Sequence, residues 1–410
     1  MALRPTRRVL AASFAALSSL APASVGLPGP VAAAAPHDSA RANAYDDAWE
    51  ADWVAHGRSI YRTAGKTAGF VLQVGDSITH SNPYCQWPRY GAGQTAADAA
   101  LTAWCQASAW NTGSATDTGV KNSWYLAAAD TSGSRGMTAS SGISAAEFLS
   151  GNGNGGTAMP ADTSTATAKA KVSDGVTYPG NLHITTVCAA FADAQFAVLM
   201  LGTNDVTAGR AVGDFSADLT GIVNALEGQN IVVVLSTIPP HFTPTTQTAV
   251  IAYNSAIRSF AQARGLPLID FHEEILLRRP GTTWNGTLLG FNDVHPSASG
   301  GGYDSASDPY AAGGDAASHS TGEACLQAGY LLRSWLTVQK LKEAKSYVAD
   351  GASPPAPAPA PSPAPSGGGG EDDGGGGGGG CFVAATAPPA CPWTLLLLTV
   401  AALAARRGSR

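Results

Sequence analysis

Charge is scarce in this 410-residue chain, at only 13% of positions. Long apolar runs are absent where a membrane protein needs them. Between residues 40 and 380 no stretch of 18 apolar residues occurs, which excludes a polytopic membrane protein. There is no Cys-x-x-Cys and no His-rich spacing, so no zinc site is expected. No internal repeat is found, which excludes solenoids and propellers. A wholly disordered chain is excluded by what is present: 44% hydrophobic and 8% aromatic residues.

Glycine (48) and proline (26) are plentiful but clustered, so the globular part is shorter than the chain. Residues 1–36 read as a signal peptide, with Arg4, Arg7 and Arg8 ahead of the apolar stretch Val9 to Leu20 and an alanine run at 32–35. The Arg7-Arg8 pair leaves Sec and Tat export both open. Residues 351–380 are a linker, first Ala-Pro-Ser and then glycine-rich. Residues 381–410 hold Cys381, Cys391, an apolar segment from Trp393 to Ala405 and terminal arginines. That order resembles a bacterial C-terminal surface-sorting signal. Envelope or membrane attachment through this tail is expected, with the tail cleaved, lipidated or retained.

The domain proper is residues 37–350. Six of the 24 basic residues and three of the 30 acidic ones lie in the ends, leaving this domain at −9. An acidic domain repels phosphate backbones, so no nucleic-acid partner is expected. Cysteines in an exported chain suggest disulfides, with Cys85–Cys105 and Cys188–Cys325 as the pairs.

Four apolar segments read as buried strands: residues 70–74, 195–201, 230–235 and 266–271. Helical stripes separate the later ones. Phe215, Leu219, Ile222, Val223 and Leu226 share a face, with Asp214 as N-cap and Gly228 as stop. Val250, Tyr253, Ile257 and Ala261 form a second stripe ending at Arg264-Gly265. A last helix runs from Cys325 to Lys345. Alternating strands and helices predict an α/β three-layer sandwich, a parallel sheet flanked by helices.

The chemistry-bearing residues fall just past the strands. Gly75-Asp76-Ser77 follows the first strand, so a hydroxyl sits at the sheet's carboxyl edge. No Gly-x-Ser-x-Gly elbow occurs. Gly202-Thr203-Asn204-Asp205 follows the second and brings an amide donor to the same edge. Between them, Gly142 offers a backbone N–H without a Cβ in the way, and Gly136 is its alternative. After the fourth strand come Asn292, Asp293 and His295, with His295 the candidate general base.

In this order the four blocks resemble the SGNH (GDSL-type) hydrolase superfamily, over roughly residues 68–345. The resemblance implies a flavodoxin-like SGNH fold and a serine esterase that cleaves carboxylic esters through an acyl-enzyme. It implies Ser77 as nucleophile, His295 as base, and an oxyanion hole of the Ser77 and Gly142 N–H groups and the Asn204 side chain. No metal or cofactor is implied. The family's acid stands three residues before the His, where this chain has Asn292; Asp293 stands two before. Asp293 is taken as the acid and Asn292 as the alternative orienter, with Asp315 and His319 a second acid–His pair. A small-molecule or polysaccharide ester substrate is expected, with deacetylation of polysaccharide the specific expectation for an exported chain at the bacterial cell surface. Trp87, Trp104, Trp110, Trp124 and Trp284 could supply sugar-stacking surface, but core or insertion packing is the expected role of most of them. A lipase or phospholipase, and a catalytically degenerate glycan-binding surface protein, are the alternatives.

Overall fold

The computed structural model describes residues 44–81, 84, 100–101, 103–105, 124–127, 136–152, 179–297 and 328–354. A 3-10 turn, Ala44–Trp49, leads into α1 (Glu50–Ile60). Then come β1 (Val71–Gly75), α2 (Ser77–His80), α3 (Trp124–Ala127), α4 (Ala145–Ser150) and α5 (Ile184–Ala190). The second half holds β2 (Phe196–Met200), α6 (Thr203–Thr207), α7 (Val212–Gly228), β3 (Val232–Ser236) and α8 (Pro244–Arg264). It ends with β4 (Leu268–Ile269), α9 (Phe271–Arg278), α10 (Gly329–Ala344) and a π turn, Lys345–Ala349.

The strands form one parallel sheet in the order β1-β2-β3-β4, in the register Val74 to Leu199 and Leu199 to Leu235. Every strand residue is buried, as continuous apolar runs require when helices cover both faces. Helices α4, α5, α7 and α8 pack as one group, and α9 packs on α10. The expected α/β architecture, a parallel sheet flanked by helices, is the one observed. Among the described residues no helix is long and apolar enough to cross a membrane.

Three local expectations are corrected. The fourth strand is two residues long rather than six. Pro267 lacks an N–H, and the Leu268 N–H turns outward to Asp46 Oδ2 at 2.8 Å, so pairing stops early. Helix α7 starts at Val212 with Ala211 as its N-cap, so Asp214 lies inside the first turn, where it meets the positive end of the helix. The expected disulfides are not made: Cys105 and Cys188 are buried free thiols. Cys85 and Cys325 lie outside the described residues, as do the signal segment, residues 355–380 of the linker and the tail.

The remaining helix ends follow local chemistry. Pro244 opens α8, where a missing N–H costs nothing, and Gly265 closes it in the left-handed region at φ 65°.

Both sheet edges are occupied. At β4, Asp46 takes the Leu268 N–H while Lys340 holds its other oxygen at 2.7 Å. At β1, Ala139 bridges to Gly75 in parallel, and the Ser140 N–H donates to Gly75 O at 3.1 Å.

Candidate active site

β1 ends at Gly75 and the chain turns at once into α2. A Cβ on Gly75 would lie 2.2 Å from Thr79 Oγ1 and 2.5 Å from Met200 O, so only glycine allows so tight a turn. Asp76 caps α2, its Oδ1 accepting from the Ile78 N–H at 3.0 Å. Ser77 is therefore the first residue of a helix, where its own N–H has no helical acceptor.

The Ser77 hydroxyl lies 2.8 Å from His295 Nε2, and His295 Nδ1 lies 2.7 Å from Asp293 Oδ1. Asp293 Oδ1 also accepts the His295 backbone N–H at 3.2 Å, which fixes the carboxylate against the imidazole. Burial pushes the Asp293 carboxyl up. The hydrogen bonds and charge of His295 outweigh it and hold the group below the usual carboxylate range. Asn292 points elsewhere. It sits in the left-handed region at φ 53°, its N–H donates to Asn285 Oδ1 at 2.7 Å, and its Oδ1 accepts from Asn285 Nδ2 at 3.2 Å. The geometry thus brings Asp293, and not Asn292, to His295. Asp315 and His319 lie outside the described residues.

The glycine loop is tied at two points. Ser140 is bonded to Gly75 O, and Asn204 Nδ2 donates to Ile143 O at 3.0 Å. Gly142 lies between these ties at φ 74°, with open space where a Cβ would stand. Gly136 is placed differently. It is buried, its N–H is spent on Ala139 O at 2.8 Å, and a Cβ there would meet Ala127 O at 2.1 Å. Asn204 has a second amide N–H beyond the one given to Ile143.

Sequence reasoning missed the anchor of this half. Asp205, fully buried, accepts the Ala145 N–H at 3.0 Å through Oδ2 and pairs with Arg210 through Oδ1. Desolvation raises its pKa, while Ala145 and Arg210 oppose the shift. It joins the start of α6 to the start of α4, and so fixes Asn204 relative to the Gly142 loop. The signal was available: Asp205 adjoins Asn204 and Arg210 follows five residues later. Asp76 is also fully buried, its carboxyl pushed up to about 6 by desolvation against the pull of Ile78 N–H, Arg333, His295 and Thr203.

Two of the five tryptophans can be read, and both take the packing role expected of most of them. Trp284 is buried and bonds to Gly281 O, and Trp104 packs edge-on against Phe196. Core packing occupies both. Trp87 and Trp110 lie outside the described residues, and so does the side chain of Trp124. No group of three His, Cys, Asp or Glu among the described residues forms a metal cluster.

Comparison with known proteins follows the same lines. Residues 141–301 match the model of the GDSL-like Lipase/Acylhydrolase family. That segment holds Gly142, Asn204, Asp293 and His295. No curated protein matches. Among solved structures, a GDSL-like lipase from Bacteroides thetaiotaomicron VPI-5482 is similar at 14% identity, over 57% of this chain and 82% of that one, with a TM-score of 0.33. A carbohydrate esterase family 3 protein from Talaromyces cellulolyticus is similar at 15% identity, over 69% of this chain and 99% of that one, also at 0.33. Over residues 141–301 the chain is similar to an ester-acting hydrolase family, the GDSL-like lipases and acylhydrolases.

Proposed function

We propose that the chain is a serine esterase that works through an acyl-enzyme on Ser77. One observation carries this reading: the unbroken chain of contacts from Ser77 Oγ through His295 to Asp293, at 2.8 and 2.7 Å. His295 Nε2 takes the hydroxyl proton as Ser77 attacks the ester carbonyl. Asp293 keeps the proton on Nδ1 and stabilises the imidazolium. The tetrahedral oxyanion is met by the N–H groups of Ser77 and Gly142 and by the free amide N–H of Asn204. His295 then returns its proton to the departing alcohol, and water releases the acyl group by the reverse path. No step calls for a metal or cofactor.

Polysaccharide acetyl esters are the proposed substrate, with export and surface attachment as read from residues 1–36 and 381–410. A fluorophosphonate probe tests the core of the reading. It should label Ser77 in the wild type and fail on a folded Ser77→Ala protein, which should hydrolyse no ester. Full esterase activity in folded Ser77→Ala removes the mechanism. A screen of aryl esters of increasing acyl length, then acetylated glycans, separates a deacetylase from a lipase.

A further inference from the structure

The nucleophile's helix is only four residues long, Ser77–His80. So short a helix does not hold its own geometry, because nucleation is unfavourable. Something outside it must set where Ser77 Oγ points. At its start that is Asp76. At its end it is Arg333, from α10, more than 250 residues away in sequence.

Arg333 is 1% exposed. One amino group donates to Ile78 O at 2.7 Å, and the other donates to Thr79 Oγ1 at 2.9 Å. Thr79 Oγ1 is also the atom that a Cβ on Gly75 would meet, so the guanidinium is bonded beside the turn before Ser77. The guanidinium lies 3.7 Å from the centre of the Tyr84 ring. The same helix holds Tyr84 twice more: Ser334 Oγ donates to Tyr84 O at 2.8 Å, and Thr337 Oγ1 lies 3.1 Å from the Tyr84 hydroxyl. That hydroxyl donates to Gln73 Oε1, inside β1, at 2.8 Å. Ser77 is thereby fixed between two points, Gln73 and Tyr84, that α10 holds together.

Among the described residues Arg333 makes no ion pair with a carboxylate. Its charge is felt by Asp76, which His295 and Thr203 also face. A buried cation without an ion pair is costly to keep. A role in packing alone would be filled more cheaply by an apolar side chain. α10 lies outside the residues matched by the family model, 141–301.

We propose that Arg333 is a positioning residue for the reaction: from the last helix it holds the turn of Ser77–His80 so that the Ser77 hydroxyl meets His295. This rests on the reading of Ser77 as nucleophile. It predicts loss of kcat with little change in KM, because substrate is bound by other groups.

The test uses the full chain and an aryl ester. Arg333→Met should lower kcat by about 10²-fold, as expected for misplacement of a reacting atom on the ångström scale, with KM within about twofold. Its rate of labelling by a fluorophosphonate should fall in parallel. Arg333→Lys keeps the charge but not the forked geometry and should recover about tenfold of the loss. Lys340→Met is the control: it breaks the buried Asp46 and Glu343 pairs on the same helix, about two turns beyond Arg333. It should lower Tm and leave kcat per folded molecule unchanged. A folded Arg333→Met with kcat near wild type overturns the proposal, as does an equal loss in Lys340→Met. If Arg333→Met does not fold, Arg333→Lys decides, and wild-type kcat there is refuting. Ser77→Ala separates the two claims. If it is inactive while Arg333→Met is fully active, the nucleophile stands and the positioning role falls. If it stays active, both fall.

Discussion

Replacing Asp293 by Asn probes the one contact that departs from the family's spacing. The carboxylate and the imidazole meet at 2.7 Å, and Asn preserves the shape while removing the charge. Two unit charges about 4 Å apart interact by about 1 kcal/mol in water and about 4 kcal/mol at the effective dielectric of a protein surface. At about 1.4 kcal/mol per tenfold, these limits span roughly fivefold to roughly 10³-fold in rate. The Asp293 side chain is 42% exposed, so solvent screens part of the interaction and the fully buried limit does not apply. A loss of about 10²-fold in kcat/KM is expected. Initial rates from pH 5 to 9, at low and saturating substrate, measure it. Because His295 holds the Asp293 carboxyl below its ordinary range, Asp293 is ionised across that window. Asn292→Gly is the companion. It removes the Asn285 contacts but suits φ 53°, where a Cβ costs about 1 kcal/mol, so activity should stay near wild type. A folded Asp293→Asn within about threefold of wild type refutes the reasoning, as does an equal loss in Asn292→Gly.

Asn204→Ala should lower kcat by about 10²–10³-fold with KM little changed, as for one oxyanion donor; a pure KM effect would assign Asn204 to substrate binding. Asp205→Ala strips the Ala145 N–H and Arg210 of their partner. It should cost about 3–5 kcal/mol by denaturant titration, and unchanged stability would deny the anchor. Asp76 is raised from 3.8 to about 6, so the folded state favours its protonated form. That contribution is complete below about pH 3.8 and is lost as pH rises through about 6. Asp76→Asn keeps an acceptor for Ile78 without the buried charge. Relative to wild type it should gain up to about 3 kcal/mol between pH 4 and pH 8, and a pH-independent difference would contradict the burial argument.

The sheet was legible because four apolar runs can be buried only between helices. Ser77 and Asn204 were legible because each directly follows such a run, and His295 because it stands beside an acid in a block after the last strand. The choice between Asp293 and Asn292 was not, since it turns on a backbone dihedral. One residue at φ 53° sends Asn292 to Asn285 and leaves Asp293 facing the ring. The start of α7 was misplaced because Asp214 is as acceptable in a first turn as at a cap. The disulfides were inferred from compartment and spacing, which do not say which way Cys105 faces. Arg333 gave no local signal. Its partners, Ile78 and Thr79, are distant in sequence and offer a carbonyl and a hydroxyl rather than a charge.

The loop that carries Gly142 also closes the open side of β1, through Ala139 and Ser140. One set of hydrogen bonds therefore serves two ends. On the proposed mechanism it presents a backbone donor to the reaction, and it denies the strand's unpaired edge to another chain. The loop cannot swing aside to admit a bulkier ester without baring that edge. Widening the site by loosening residues 139–142 should thus trade substrate range against solubility. Changes that enlarge the site from the His295 side carry no such penalty.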